Sequence, residues 1–163
     1  MILLVHKDEK VTKITDLESN ELLEISDENP INALFNIASE YQNRILIWCH
    51  ETLQPNLNFE EIKSAFYLNN LMLSYSVYQY LPEQIGYVED SLFLKINKKV
   101  KYPTWLVSSF VGAIYASQLL KFNIKIYKND TFNFALNSIA KLGISKGLLC
   151  YSEPRLLRTF NSI

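Results

Sequence analysis

The sequence predicts an α/β fold: one domain on a mixed, mostly parallel sheet flanked by helices. Three observations carry that expectation. Apolar strand-like runs alternate with amphipathic helical patterns along the chain. Ile45 to Cys49 is a continuous apolar run, the pattern of a strand covered on both faces. No linker, repeat or low-complexity segment interrupts the 163 residues, a length that supports one domain with a real core.

The elements follow in order. Ile2 to Val5 is a short buried strand, and a second strand is expected around Val11 to Ile14. Asp16 to Asn29 is acidic and polar and reads as an extended connection. Asn29-Pro30 then opens a helix, because Asn caps well and Pro suits the first helical position. Ile31, Leu34, Phe35, Ala38 and Tyr41 share one face of that helix. The strand Ile45 to Cys49 follows. Asn58 and Glu61 resemble a capping box, with Leu57 and Ile62 spaced as a hydrophobic staple, so a second helix starts there. Leu71 to Val77, Ile85 to Val88 and Leu92 to Ile96 read as strands, the last two joined by a turn at Glu89-Asp90-Ser91. Val111 to Tyr115 is a candidate central strand, followed by a short helix that Ser117 caps and that runs through Phe122. Asp130 or Thr131 caps a further helix with Phe132, Leu136, Ile139 and Ala140 inward. Gly143 ends it, and Leu148 to Tyr151 is the last strand.

Composition narrows the function classes. Apolar residues are 48% and charged residues 20%, a globular balance. With 4 glycines the chain is no Gly-rich nucleotide-loop protein. A net charge of −1 gives no general steering toward nucleic acid, so no nucleic-acid partner is expected. Two separate cysteines, Cys49 and Cys150, make no disulfide framework, and the apolar run at the N-terminus is too short for a signal peptide. A cytoplasmic protein with reduced thiols is the expectation. Tyr102 to Leu120 carries no charge but is interrupted by Pro103, Thr104, Ser108, Ser109, Gly112, Ser117 and Gln118. It reads as buried core, with peripheral contact at the inner face of a membrane as the alternative.

Candidate chemistry gathers at strand ends, where α/β proteins bind ligands. His50 and Glu51 follow the strand Ile45 to Cys49 and are candidate ligands of a divalent metal; the plainer reading is a solvated loop start. Cys49 has no orienting Asn or Asp and reads as a buried structural thiol. Lys98 and Lys99 belong to the basic cluster Lys95 to Lys101 and suit a pyrophosphate or an anionic lipid, or a solvated hairpin end. Trp105 with Ser108 and Ser109 offers a ring beside hydroxyls, suited to a sugar, or else a core side chain. Tyr151 to Arg155 leaves the last strand with polar groups and is a further candidate lining of the same crevice.

The phrases Ile45 to Leu53, Ile85 to Trp105 and Leu136 to Leu157 resemble the N-terminal region of family 2 glycosyltransferase-like proteins from Bacteroidetes-type bacteria. The resemblance implies a truncated, Rossmann-like GT-A domain. In that family a helix leads into a strand ending in Asp-x-Asp, which binds a metal and the sugar-nucleotide diphosphate. Here the place holds Cys49-His50-Glu51-Thr52, with Glu51 as its one carboxylate. An acidic pair opens a later helix and supplies the acceptor's base; the similar place here is Asp130 to Asn133, which makes Asp130 the candidate catalytic base. The resemblance further implies Mn²⁺ or Mg²⁺ as cofactor, a nucleotide-sugar as donor, and a downstream glycosyltransferase domain or partner protein.

Two functions are therefore expected. The first is a glycosyltransferase-like domain of surface polysaccharide or glycoconjugate assembly, moving sugar from a nucleotide-sugar to an acceptor hydroxyl. The second is a non-catalytic accessory or interaction domain that keeps the fold after losing the second carboxylate.

Overall fold

In a computed structural model the described residues are 1–76, 99–104 and 106–158. Among the described residues eight strands form one sheet: β1 (Ile2–Lys7), β2 (Lys10–Asp16), β3 (Glu21–Leu22), β4 (Ile45–His50), β5 (Leu71–Ser74), β6 (Tyr102–Pro103), β7 (Val111–Tyr115) and β8 (Leu149–Ser152). The helices are α1 (Pro30–Glu40), α2 (Phe59–Ala65), α3 (Ala116–Leu119), α4 (Ile124–Tyr127) and α5 (Phe132–Gly143). The sheet order is β3-β2-β1-β4-β7-β5-β8-β6.

The α/β class is as expected, but the sheet is mostly antiparallel, not mostly parallel. Only β1–β4 and β5–β8 pair in parallel; the other five pairings are antiparallel. Two features account for this. Asp8 and Glu9 both take the left-handed backbone conformation, with φ of 49° and 60°, and turn β1 straight back into β2. A hairpin turn with two positive φ values normally shows itself by Asn-Gly, which this one lacks. In addition, β7 slots between β4 and β5 and runs against both. Strands β1, β4, β5 and β8 still point the same way, so their carboxyl ends share one edge of the sheet.

Helix starts follow local chemistry. Asn29 Oδ1 accepts from the amides of Ile31 and Asn32, both at 3.1 Å, and Pro30 occupies the first turn of α1. Asn58 Oδ1 accepts from the Glu61 amide and starts α2. Thr131, not Asp130, caps α5 by accepting from the Phe134 amide. Some expectations change. Ser117 lies inside α3, whose cap is Tyr115, and α3 stops at Leu119. Gly143, expected to cap α5, is instead its last helical residue, φ −64°; a further 3-10 turn follows, and it is Gly147 that takes the left-handed conformation, φ 79°. Within the acidic connection Asp16 to Asn29, Glu21 and Leu22 pair with β2 as β3. The strands expected at Ile85 to Val88 and Leu92 to Ile96, and the end of the one expected at Leu71 to Val77, lie outside the described residues.

Two apolar cores sandwich the sheet. Helices α1, α3, α4 and α5 bury Leu34, Phe35, Leu119, Tyr127, Phe132 and Leu136 against Leu4, Trp48 and Ile114. On the other face α2 and the turns at Leu53 and Leu156 cover Val5, Ile47, Leu73 and Ala113. The alternation of side chains along each strand divides the residues between these cores. No helix among the described residues is long and apolar enough to cross a membrane. The uncharged run Tyr102 to Leu120 is spent instead on β6, β7 and α3.

Candidate functional site

The carboxyl ends of β1 and β4 stand side by side, with His6 in register with His50. These are the two histidines of the chain. Their rings are 5.7 Å apart and nearly perpendicular. His6 is buried, and its Nε2 lies 2.7 Å from the carbonyl of Ser109. A carbonyl only accepts, so Nε2 carries the proton. Burial pushes the His6 pKa below 6.5; the Ser109 bond opposes this and the neighbouring His50 adds to it. The half-buried His50 is turned the other way: its Nδ1 accepts from the Thr52 amide at 3.3 Å and lies 2.9 Å from the Thr52 hydroxyl. The Phe132 ring packs on His6 at 5.1 Å, and the Phe110 ring packs on His50 at 5.5 Å.

Glu51 and Glu9 flank the two histidines, and each has a partner. Glu51 forms an ion pair of 2.6 Å with Lys7. Glu9 Oε2 accepts from the Phe132 amide at 2.8 Å, placing negative charge at the N-terminus of α5, where the helix dipole favours it. The loop before β7 is bound just as closely. The Trp48 indole N–H donates to the Ser108 carbonyl at 3.0 Å, and the Ser108 amide donates to Ser74 Oγ at 3.2 Å. Ser108 Oγ in turn accepts from the Phe110 amide. Asn137 of α5 holds both sides of the Val107 peptide, its Oδ1 accepting and its Nδ2 donating at 2.9 Å each. At the end of β8 the Glu153 carboxylate is buried and takes both arms of Arg155 at 3.0 Å.

The expected site residues are brought together in part. His50, Glu51, Ser108 and Ser109 share the strand-end edge. Ser108 is buried and spends its polar groups on the strand ends, which is a structural use. Asp130 is half-buried just before α5; its amide donates to the Tyr127 carbonyl and its carbonyl accepts from Asn29. The carboxylate bonded to the first turn of α5 is Glu9. Lys99 is exposed ahead of β6. Lys98 and Trp105 lie outside the described residues.

His6, Lys7, Glu9 and Phe132 belong to the site although the sequence pattern does not single them out. A signal for His6 exists: both Ile2–Lys7 and Ile45–His50 are apolar runs that reach a histidine near their carboxyl end. Cys49 donates its thiol proton to the His50 carbonyl, and burial pushes its pKa up to about 12, so it is no thiolate nucleophile.

The donor set for Mn²⁺ or Mg²⁺ is thin, because such ions want several hard oxygens. Among the described residues no group of three or more His, Cys, Asp and Glu side chains is placed to hold a metal. The hollows among the described residues include three that neither His6 nor His50 lines. One of about 360 Å³ lies at the opposite sheet edge, by Met1, Arg44, Ile45 and Tyr115. One of about 340 Å³ lies beside β8, by Thr104, Ile144, Cys150 and Tyr151. One of about 250 Å³ lies between α1 and the β2–β3 edge.

No family model, curated protein or solved structure matches this chain.

Proposed function

We propose that this chain is a glycosyltransferase-like domain of glycoconjugate assembly that does not itself transfer sugar. It serves as an accessory or interaction module beside a conventional glycosyltransferase. The likeness of its sequence phrases to family 2 proteins supports the scaffold. So does one spatial relation: the end of β4 and the start of α5, the two places where that family carries its metal and its base, meet through His6.

The observation that favours the non-catalytic reading is the engagement of both edge carboxylates, Glu51 by Lys7 and Glu9 by the Phe132 amide. A metal-bound diphosphate needs carboxylates free to coordinate, and an acceptor needs a base within reach of its hydroxyl. Here the edge groups satisfy one another. A second reading, an active transferase, draws on the exposure of the Lys7–Glu51 pair, with side chains 50% and 36% accessible. Such pairs hold weakly and can part for a ligand.

Isothermal titration of UDP and of GDP, each with Mn²⁺ or Mg²⁺, separates the two. The accessory reading expects no binding heat with either nucleotide. Heat that Glu51→Ala abolishes would establish the active reading in its place.

A further inference from the structure

Charge along this chain is sharply divided. Residues 1–90 carry fifteen acidic side chains and five basic ones. Residues 91–152 carry nine lysines and a single acid, Asp130. The net charge of −1 conceals this asymmetry. In the sheet β3, β2, β1 and β4 come from residues 2–50 and β7, β8 and β6 from residues 102–152, with β5 (Leu71–Ser74) between β7 and β8.

The basic half presents its lysines on one helical layer. Lys121, Lys125, Lys128, Lys141 and Lys146, in and around α3, α4 and α5, are all exposed. Helices α3, α4 and α5 share one core with α1 over one face of the sheet. Lys146 Nζ lies 5.8 Å from the Phe122 ring, which joins the end of α5 to the α3–α4 connection. In the acidic half three of the basic residues are paired: Lys7 with Glu51, Lys10 with Glu28, and Arg44 with Asp16 and Glu18. The five lysines of the helical layer make no ion pair among the described residues.

The same layer exposes large apolar side chains between its lysines. Ile126 is 65% accessible, Phe134 62%, Ile144 60% and Leu142 49%. Single exposed apolar residues are ordinary, but four on one layer among unpaired lysines are not.

We propose that the outer side of α3, α4 and α5 docks on an anionic lipid membrane. The lysines match the headgroup charge, and Ile126, Phe134, Leu142 and Ile144 enter the boundary between headgroups and acyl chains. A soluble polyanion would use the lysines alone and leave those four side chains idle, which is why the lipid surface is the better fit. This contact is peripheral and independent of the strand-end edge, so it stands or falls apart from any nucleotide binding.

The test is co-sedimentation of the full chain with vesicles of phosphatidylcholine alone and of phosphatidylcholine mixed with phosphatidylglycerol. The protein should pellet with the mixed vesicles, remain in solution with the neutral ones, and be released by salt. Each of Lys121→Gln, Lys125→Gln and Lys128→Gln should weaken partitioning roughly fivefold. Ile126→Ser with Ile144→Ser, both at exposed positions, should weaken it at low salt while circular dichroism stays unchanged. Failure to pellet with anionic vesicles, or equal pelleting with neutral ones, overturns the proposal. So does a double serine variant that binds unaltered, with polyglutamate competing as well as lipid; that result would assign the face to soluble acidic partners.

Discussion

His6 and His50 lie in register on adjacent parallel strands, their rings 5.7 Å apart and almost at right angles. The pair turns the sheet edge into a junction of four segments. His6 reaches the Ser109 carbonyl and the Phe132 ring, while His50 meets Phe110 and Thr52. β4 ends at this edge and β7 begins here, so the ladder between them stops at Cys49 and Val111. The edge is thus held by neutral hydrogen bonds and ring contacts, with charge kept to its rim at Lys7, Glu9 and Glu51.

That junction makes stability depend on pH. Burial lowers the His6 pKa in the folded chain below its ordinary 6.5, so the unfolded chain binds this proton more readily. The His6 contribution is complete above pH 6.5 and is lost as pH falls from there through the folded value. The urea midpoint of the wild type should therefore drop on acidification across this window. His6→Phe keeps a ring against Phe132 but gives up the Ser109 bond, costing about 1 kcal/mol. Its midpoint should be flatter with pH than that of the wild type. An equally steep decline in the variant would assign the dependence to other groups.

One side chain ties the strap before β7 to α5. Asn137 supplies both a donor and an acceptor to the Val107 peptide, and Val107 is 2% accessible, so its peptide groups gain little from solvent when the amide is removed. Asn137→Ala should cost about 2 kcal/mol, two net hydrogen bonds at a buried peptide. Hydrogen exchange should quicken at the Val107 and Ser108 amides and stay slow in β1. Uniform quickening throughout the chain would point to global destabilisation instead.

The sequence discloses its helices better than its strand pairing, for a physical reason. A cap is local: Asn29-Pro30, Asn58 and Thr131 act on amides two or three residues away, and all three start helices. Strand direction is set by distant partners or by turns. The Asp8–Glu9 turn carries no glycine, and the insertion of β7 between β4 and β5 is a long-range event. The candidate site is legible in the same uneven way. His50 and Glu51 stand out at the end of an apolar run, and the structure puts them at a shared edge. Glu9 is hidden because its role, bonding an amide of α5, spans 123 residues. Ser108 and Ser109 suggest hydroxyls for a ligand, whereas their backbone carbonyls bind Trp48 and His6.

Gly112 offers the sharpest test of how the centre of the sheet is packed. It pairs in register with Trp48, whose fully buried indole crosses the place where a side chain would stand. A Cβ on residue 112 would overlap Trp48 Cζ2 and lie 2.6 Å from the Leu73 carbonyl oxygen. The backbone there is held between β4 and β5 and has little room to yield. Gly112→Ala should therefore destabilise by about 1–3 kcal/mol, the usual range for overpacking a core. Trp48→Phe removes the indole overlap but not the carbonyl contact, and it also breaks the bond to Ser108. In a double-mutant cycle the glycine substitution should consequently cost less in the Trp48→Phe background than in the wild type, yet still cost something. Equal penalties in both backgrounds, measured by urea unfolding, would mean that the Leu73 backbone and not the indole demands glycine at this position.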